Sequence, residues 1–192
     1  LLQNYFVDYR GGASTRASTK YILQAYKSAT AVRLISFQAS FNVGYVLEFG
    51  DQYIRFIIDG APVLESTFNI SAATKASTCV LTITGNNYVT GDWIFVDGIV
   101  GMTQLNGRYF QVINASGAAI SLGDLNGVPI DSTGFTTYVS GGTSARVYTI
   151  ASPYAAADLA LIKFAQNVNQ LILCHPSYAP QILTLITATN WT

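Results

Sequence analysis

The stretch Tyr45-Val-Leu-Glu-Phe-Gly-Asp51-Gln-Tyr-Ile-Arg-Phe-Ile-Ile-Asp-Gly60 determines the fold class of this chain. On each side of Gly50 and Asp51 the large apolar side chains recur at every second position, which is the period of a half-buried β-strand. Gly50 and Asp51 suit a tight hairpin turn of type II′, in which glycine supplies a positive φ. The stretch therefore predicts two antiparallel strands that belong to a meander.

A second part of the chain, from residue 147 onward, shows the same pattern of short strands and tight turns. Between the two parts the composition changes to Gly, Thr, Ser and Asn. We expect residues 1–70 and 147–192 to form one discontinuous β scaffold domain, and residues 71–146 to form an inserted small β-barrel module. The last strand of the insert, residues 145–150, runs into the second part, which places the two ends of the insert close together.

The insert carries turn signals at regular spacing, which is typical of a small barrel or sandwich. Six short strands are predicted in it, beginning near Cys79, Asp92, Arg108, Ala119, Thr136 and Ala145. The only helix expected is a short one over residues 154–161, after Pro153. The predicted fold is mainly β: an antiparallel meander, propeller-blade-like or sandwich-like, with an inserted small β-barrel and one short helix.

The charge of the chain is low and balanced, with ten basic and ten acidic residues among 192. A groove that grips phosphates would carry a basic excess, so tight binding of nucleic acid is not supported, although DNA can still pass along such a surface. Low charge favours self-association. No apolar run reaches eighteen residues, so no membrane-spanning helix is predicted. The missing initiator Met, and a Trp191 without an obvious local partner, lead us to expect a piece of a longer protein.

Residues capable of catalysis are sparse. His175 is the sole histidine and follows Cys174, but neighbouring residues of a strand point to opposite faces. They therefore do not form a nucleophile and its base, and we expect His175 to cap a strand. Glu48 is expected to be solvated or to pair across the strands with Arg55. No catalytic, cofactor-binding or metal-binding residues are predicted, and the chain is interpreted as a non-enzyme.

Two further features leave alternatives open. Asp124 and Asp131 lie in one loop, where turn formation is the expected role and an incidental calcium ion is the alternative. Cys79 and Cys174 each lie in an apolar run and are expected to be buried thiols. A disulfide between these two cysteines is the alternative, which the sequence does not decide.

The best candidate for an interaction site is the polar segment that holds Arg10, Arg16 and Lys20. It can lie extended against a partner subunit or near the DNA channel, and an ordinary solvated loop is the competing interpretation. Residues 20–26 after it are expected to return to a strand. A carbohydrate- or receptor-binding module is the alternative function, in which exposed aromatic rings stack on sugar faces. The candidate rings for that stacking are Tyr88, Trp93, Tyr109 and Tyr138.

The string Asn4-Tyr-Phe-Val-Asp-Tyr-Arg-Gly-Gly-Ala-Ser-Thr-Arg-Ala-Ser-Thr-Lys-Tyr21 resembles a motif near the start of tail nozzle, or tail tubular B-like, proteins of short-tailed phages and prophages. Further strings similar to that family lie at residues 45–51, 54–56, 59–60, 150–159, 163–166 and 175–180. The insert is similar to the small β module after the first catalytic-cysteine half-domain of ubiquitin-activating enzymes. That similarity implies no ubiquitin chemistry, because fold does not carry function.

The resemblance implies a structural virion protein, a subunit of a phage tail nozzle, tube or hub that forms part of the DNA exit channel. It further implies a homo-oligomeric ring, with six copies as the expected number, and contacts with other tail or adaptor proteins. The implied location is the phage tail, after synthesis in the cytoplasm of the bacterial host.

Overall fold

The computed structural model of the chain describes residues 5–15 and 20–192. This part is mainly β and antiparallel, which confirms the predicted fold class. Its two helices are 3₁₀ helices of three residues each, Thr103–Leu105 and Leu159–Leu161. Within the described ranges, no helix has the length and apolar character needed to cross a membrane.

Eighteen strands form in the described part of the chain, and they are numbered here in chain order. They are β1 Tyr5–Asp8, β2 Gly12–Thr15, β3 Arg33–Ser40, β4 Val43–Gly50, β5 Tyr53–Ile58, β6 Ala61–Pro62, β7 Phe68–Asn69, β8 Ala72–Ala73, β9 Val80–Thr82, β10 Trp93–Val100, β11 Arg108–Ser116, β12 Ala119–Gly123, β13 Ser140–Arg146, β14 Thr149–Ala151, β15 Lys163–Asn167, β16 Gln170–His175, β17 Tyr178–Thr187 and β18 Asn190–Trp191.

Two sheets pack face to face as a sandwich. The first has the order β14-β5-β4-β3, with β6 paired to β5, and the second has the order β15-β16-β17-β18. The alternation seen in the sequence decides which side chains enter this core, because every second residue of β3, β4 and β5 points inward. Ile35, Leu47 and Phe56 are examples, each almost fully buried.

An aromatic group fills the sandwich core around Trp191. Its ring stacks on Phe56 at 4.5 Å between centroids and meets Phe37 and Tyr45 edge-on at 4.9 and 5.3 Å. Trp191 therefore has partners, although none is obvious near it in the sequence. Its partners lie more than 130 residues earlier in the chain, where a local pattern cannot reveal them.

The remaining seven-stranded sheet is closed into a barrel, in the order β7-β13-β10-β11-β12-β9-β8. The outermost strands, β7 and β8, are separated in the chain only by Ile70 and Ser71. The N–H of Ile70 donates to Gly142 O, and that of Ser71 donates to Thr82 O. One continuous segment thus pairs with β13 and then with β9, so the sheet has no free edge there. The predicted small β-barrel is this closed sheet, with its own apolar core.

Strand positions in the barrel differ from the prediction at several places, and β7 lies before residue 71, where the insert was expected to begin. Residues 136–139 form no strand. Instead, the N–H of Val139 donates to Val100 O, and the Thr136 hydroxyl donates to Gly101 O. The next strand, β13, begins only at Ser140. β10 does not end at Asp97 and Gly98 but continues to Val100, with Gly98 at φ +75°.

The hairpin between β4 and β5 is present, but its turn is centred on Asp51 and Gln52. Gln52, not Gly50, has the positive φ, at +63°. Gly50 is needed for space instead: a Cβ there would lie 2.1 Å from the ring of Tyr53. The predicted short helix over residues 154–161 is likewise reduced to a turn and the 3₁₀ helix Leu159–Leu161.

The N-terminal part of the described chain adds no strand to these sheets. β1 and β2 form a two-stranded hairpin, which we call the arm (residues 5–15). Residues 20–32 form no strand, so the strand expected over residues 20–26 is wrong. They cross the outer face of the first sheet, where their backbone meets side chains rather than a neighbouring strand.

Candidate functional site

A buried ion pair lies on the outer face of the first sheet, where that sheet meets the barrel. Glu48 of β4 and Arg55 of β5 are directly opposite each other, and their side chains are 2.5 Å apart. Only 4% of Glu48 and 1% of Arg55 is exposed. The cross-strand pair is thus confirmed, and the solvated alternative for Glu48 is wrong. Glu48, Arg55 and the groups that cover them, Gln24, Tyr26, Tyr53 and Trp93, are called the junction.

Both oxygens of the Glu48 carboxylate accept hydrogen bonds. One oxygen accepts from the hydroxyl of Tyr53 at 2.6 Å and from the N–H of Tyr26 at 3.2 Å. The other oxygen accepts from Nη2 of Arg55. Three donors thus occupy three of the four lone-pair positions of a carboxylate that is almost fully buried, which keeps it from contact with a substrate. Glu48 therefore serves to fix its neighbours.

Arg55 is held from several sides. Its Nη2 also donates to the carbonyl of Gln24 at 2.7 Å, and its Cζ lies 5.1 Å from the ring centre of Trp93. Nε and Nη1 are buried and make no hydrogen bond within the described residues. The ring of Trp93 faces a cation here, an attraction that strengthens when both groups are removed from water. The barrel thus contributes one wall of the site that holds this guanidinium.

Tyr26 closes the junction from outside. Its ring meets those of Tyr53 and Trp93 edge-on, each at 5.2 Å, and its hydroxyl donates to Gly91 O at 2.9 Å. Burial raises the pKa of Tyr26, with Asp92 adding to the effect and Arg55 opposing it. Burial also raises the pKa of Tyr53, reinforced by its bond to Glu48. Both hydroxyls therefore stay protonated and act as donors.

A second ionic group lies beside the junction. Arg146, at the end of β13, donates through Nη2 and Nε to both oxygens of Glu65, at 2.7 and 3.0 Å, and through Nη1 to Asp92 at 3.1 Å. The bond to Glu65 is the main reason that the pKa of Arg146 is raised, despite the opposing effect of burial. A cleft of about 180 Å³ opens beside these groups, and Tyr26 and Trp93 form part of its lining. Both carboxylates at the cleft are bound by Arg146, whose single positive charge offsets one of their two negative charges.

The predicted contact residues lie in different places. Arg10 is in the turn at the tip of the arm, with its guanidinium 5.1 Å from the ring centre of Tyr9. Lys20 is exposed at the start of the segment that crosses the first sheet. Arg16 lies outside the described residues.

The four rings proposed to stack on sugars are not exposed, so that expectation is wrong. Tyr88 and Trp93 are buried, and Tyr109 and Tyr138 are half-buried. The hydroxyl of Tyr88 bonds to Ser144 Oγ, and that of Tyr138 donates to Ile70 O and Gly141 O. Trp93 is enclosed by Arg55 and Tyr26. These rings are part of the barrel and of its contact with the sandwich.

Cys174 and His175 point to opposite faces of β16, as predicted. His175 is buried between Tyr154 and Tyr178, and its Nδ1 accepts from the N–H of Ser177. Cys174 is exposed, so the expectation of a buried thiol is wrong for it. Cys79 is buried in the barrel, where burial raises the pKa of its thiol. Both cysteines are free, so the disulfide alternative is wrong in this structure.

The loop acids Asp124 and Asp131 accept backbone hydrogen bonds from residues that follow them, as turn-forming carboxylates do. Over the described ranges, no three His, Cys, Asp or Glu side chains are grouped so as to hold a metal ion.

Sequence reasoning missed Tyr26, Glu65 and Arg146. Glu65 and Arg146 are 81 residues apart, and the partners of Tyr26 come from β4, β5 and β10. No local pattern marks such groups, because each is placed by the docking of the barrel on the sandwich. When the chain was compared with protein-family models and with curated proteins, neither comparison found a match.

Proposed function

We propose that this chain is a structural virion protein, a subunit of a phage tail nozzle, tube or hub that forms part of the DNA exit channel. The observation that supports the proposal most is that the tail-like strings, although far apart in sequence, lie against each other in the fold. The string at residues 45–51 ends in the turn that carries Asp51 and Gln52. The string at residues 150–159 carries Ser152, Tyr154 and Ala156.

One hydrogen bond joins these two strings directly, from Ala156 to Asp51, and two more join the second string to Gln52, the residue that follows the first string. Gln52 N–H donates to Tyr154 O at 2.9 Å, Ser152 N–H donates to Gln52 O at 3.0 Å, and Ala156 N–H donates to the carboxylate of Asp51 at 3.2 Å. The third string, residues 175–180, adds a bond from the Tyr178 hydroxyl to Asp158 at 2.6 Å. Strings that occur together because they build one structural unit are expected to make such contacts.

The function proposed is mechanical. Antiparallel ladders and two dry cores give a stiff wall, and the junction holds the barrel at one angle to the sandwich. A chain with zero net charge does not grip the phosphate backbone, so DNA passes without being retained. The subunits are proposed to form a homo-oligomeric ring, with six copies as the expected number, in contact with other tail or adaptor proteins. The carbohydrate-binding alternative is disfavoured because its four rings are not exposed.

The test is to produce the intact chain with the other tail proteins of its phage and to image purified tail particles by cryo-electron microscopy. We expect density for this sandwich and barrel, repeated around the DNA exit channel, and peptides of the chain in mass spectra of the same particles. A tagged, unrelated phage protein that is not part of the tail serves as the control for carry-over. Tail particles that assemble completely without this chain would contradict the proposal.

A further inference from the structure

The edge of the first sheet at β3 is open between Arg33 and Gln38. β3 pairs with β4 on one side, and no strand of the described residues pairs with it on the other. The backbone N–H and C=O of Gln38 point to this edge, where both bond to the side chain of Gln166. In an antiparallel pair, residues two apart present their backbone groups on the same side. Leu34 and Ser36 therefore also point to this edge, and within the described residues nothing bonds to their outward groups.

Natural edge strands are normally protected by charged side chains, by proline or by a covering segment. Between Leu34 and Phe37 the edge has no charge and no proline, and the Gln166 side chain covers it only at Gln38. Residues 34–47 contain no charged side chain, and no proline lies among them. Leu34, at 61% exposure, and Val46 present apolar surface to water beside this edge. An edge of this kind is suited to accept a further strand.

The arm also has unpaired strand edges. β1 and β2 pair only with each other among the described strands, so each keeps one unpaired edge. Phe6 and Tyr9 of the arm are exposed, at 63% and 91%. A two-stranded hairpin without a core is marginally stable in water, so the arm needs a surface to cover. Its one acidic and one basic residue, Asp8 and Arg10, leave it uncharged overall, like the edge of β3.

We infer that the arm of one copy adds to the edge of β3 in a second copy of this chain, with β1 as the added strand and Phe6 against Leu34 and Val46. The sizes match, because a four-residue strand presents two residues on each edge and β3 offers Leu34 and Ser36. Arm and edge are different surfaces of one chain, so the contact is heterologous, and repetition of it closes a ring or extends a filament. The inference rests on the proposed function only in that a tail ring needs such a repeated contact.

The test measures association of the intact purified chain by sedimentation velocity over a concentration series. We expect the wild-type chain to associate, and Leu34→Lys and Phe6→Ser each to weaken association at least about tenfold, since a charge or the loss of an aromatic anchor at a small interface costs this much. Val100→Lys is the matched control, because Val100, like Leu34, is an apolar strand residue with more than half of its surface exposed, but it lies in the barrel. It should leave association unchanged, and circular dichroism should show that all variants keep their fold.

Mixing gives the decisive result. A Leu34→Lys copy keeps an intact arm, and a Phe6→Ser copy keeps an intact edge. At a concentration at which neither variant associates alone, an equimolar mixture of the two should therefore form a one-to-one dimer. A monomeric wild-type chain, unchanged association of Leu34→Lys, or a mixture that stays monomeric would each overturn the inference. A wild-type chain that associates through another surface leaves the proposed tail function standing. Association by arm and edge, with the chain absent from tails, removes the proposed function and leaves this inference standing.

Discussion

Glu48 and Arg55 form a 2.5 Å ion pair that is enclosed between the sandwich and the barrel. The pair is placed by the register of β4 and β5, but it is buried only because Tyr26 and Trp93 cover it. An ion pair in such surroundings makes a poor general source of stability, because both charges lose their hydration. Its value here is specificity of docking: each partner also binds a group outside the sheet.

Replacement of Glu48 by Gln is expected to destabilise the fold strongly. The guanidinium of Arg55 would then be buried without a countercharge, and removal of one partner of a buried pair typically costs about 3–5 kcal/mol. Urea unfolding followed by tryptophan fluorescence measures the change. The control is Lys27→Met, which breaks the half-exposed pair with Asp51 and should hardly move the urea midpoint. Equal midpoints for Glu48→Gln and wild type would show that the pair does not hold the junction.

Replacement of Gly50 by Ala is expected to destabilise the β4–β5 hairpin. The new methyl group would overlap the ring of Tyr53, which lies across Gly50 to reach Glu48. Overpacking of this kind costs about 1–3 kcal/mol. Gly134→Ala is the matched control, because its Cβ would meet open space and its φ is not positive. Thermal unfolding of the two variants should separate them clearly, and a Gly50→Ala protein as stable as wild type would mean that the Tyr53 ring can move at little cost.

The two thiols should react at very different rates. Cys174 is exposed on β16, whereas Cys79 lies in the barrel core with a raised pKa. A thiolate is the reactive species, so burial and a raised pKa both protect Cys79. We expect one equivalent of maleimide to react with the native chain and a second only after unfolding in urea. The Cys174→Ser variant should take up no reagent while folded. Fast labelling of that variant would contradict the closed barrel core.

Stability should fall at alkaline pH. Burial raises the pKa of Tyr26, Tyr53 and Tyr88 above the ordinary value of 10.0. Above about pH 10 the unfolded chain loses these protons while the folded chain keeps them, so the folded state binds more protons and its stability declines as the pH rises. The stabilisation is fully present below about pH 10. Urea titrations at several pH values measure the slope, with ultraviolet absorbance following tyrosinate.

The variant Tyr53→Phe isolates one of these groups. Its decline in stability between pH 10 and 11 should be shallower than that of wild type, because one proton fewer is coupled to unfolding. The unfolding free energy at neutral pH should be lower, since the bond to Glu48 is lost. An identical slope in both proteins would exclude Tyr53 as a contributor.

Much of the fold follows from local pattern. The period of two in residues 45–58 predicted β4, β5 and a hairpin between them, although the turn lies one residue later than expected, and it offered the pairing of Glu48 with Arg55 as one of two alternatives. The same rule separated Cys174 from His175. These predictions succeed because side-chain direction along a strand is set by backbone geometry that each residue carries with it.

The errors have a common origin in contacts between distant segments. Residues 20–26 read as a strand by composition, yet they lie across side chains of the first sheet and have no ladder to join. Tyr88 reads as an exposed ring, yet it is buried in the core of the barrel. Cys174 reads as a core residue in an apolar run, yet it is exposed on the outer face of β16.

The amino-acid sequence by itself determined most of the strands, and it placed Cys174 and His175 on opposite faces of one strand. Only the tertiary structure decided that residues 68–73 close the barrel, that Trp191 completes the sandwich core and that Tyr26 seals the junction. A strand pattern predicts which side chains share a face, because the direction of a side chain is set by the neighbouring peptide units. It does not state which face is covered, because burial depends on segments brought together from distant parts of the chain.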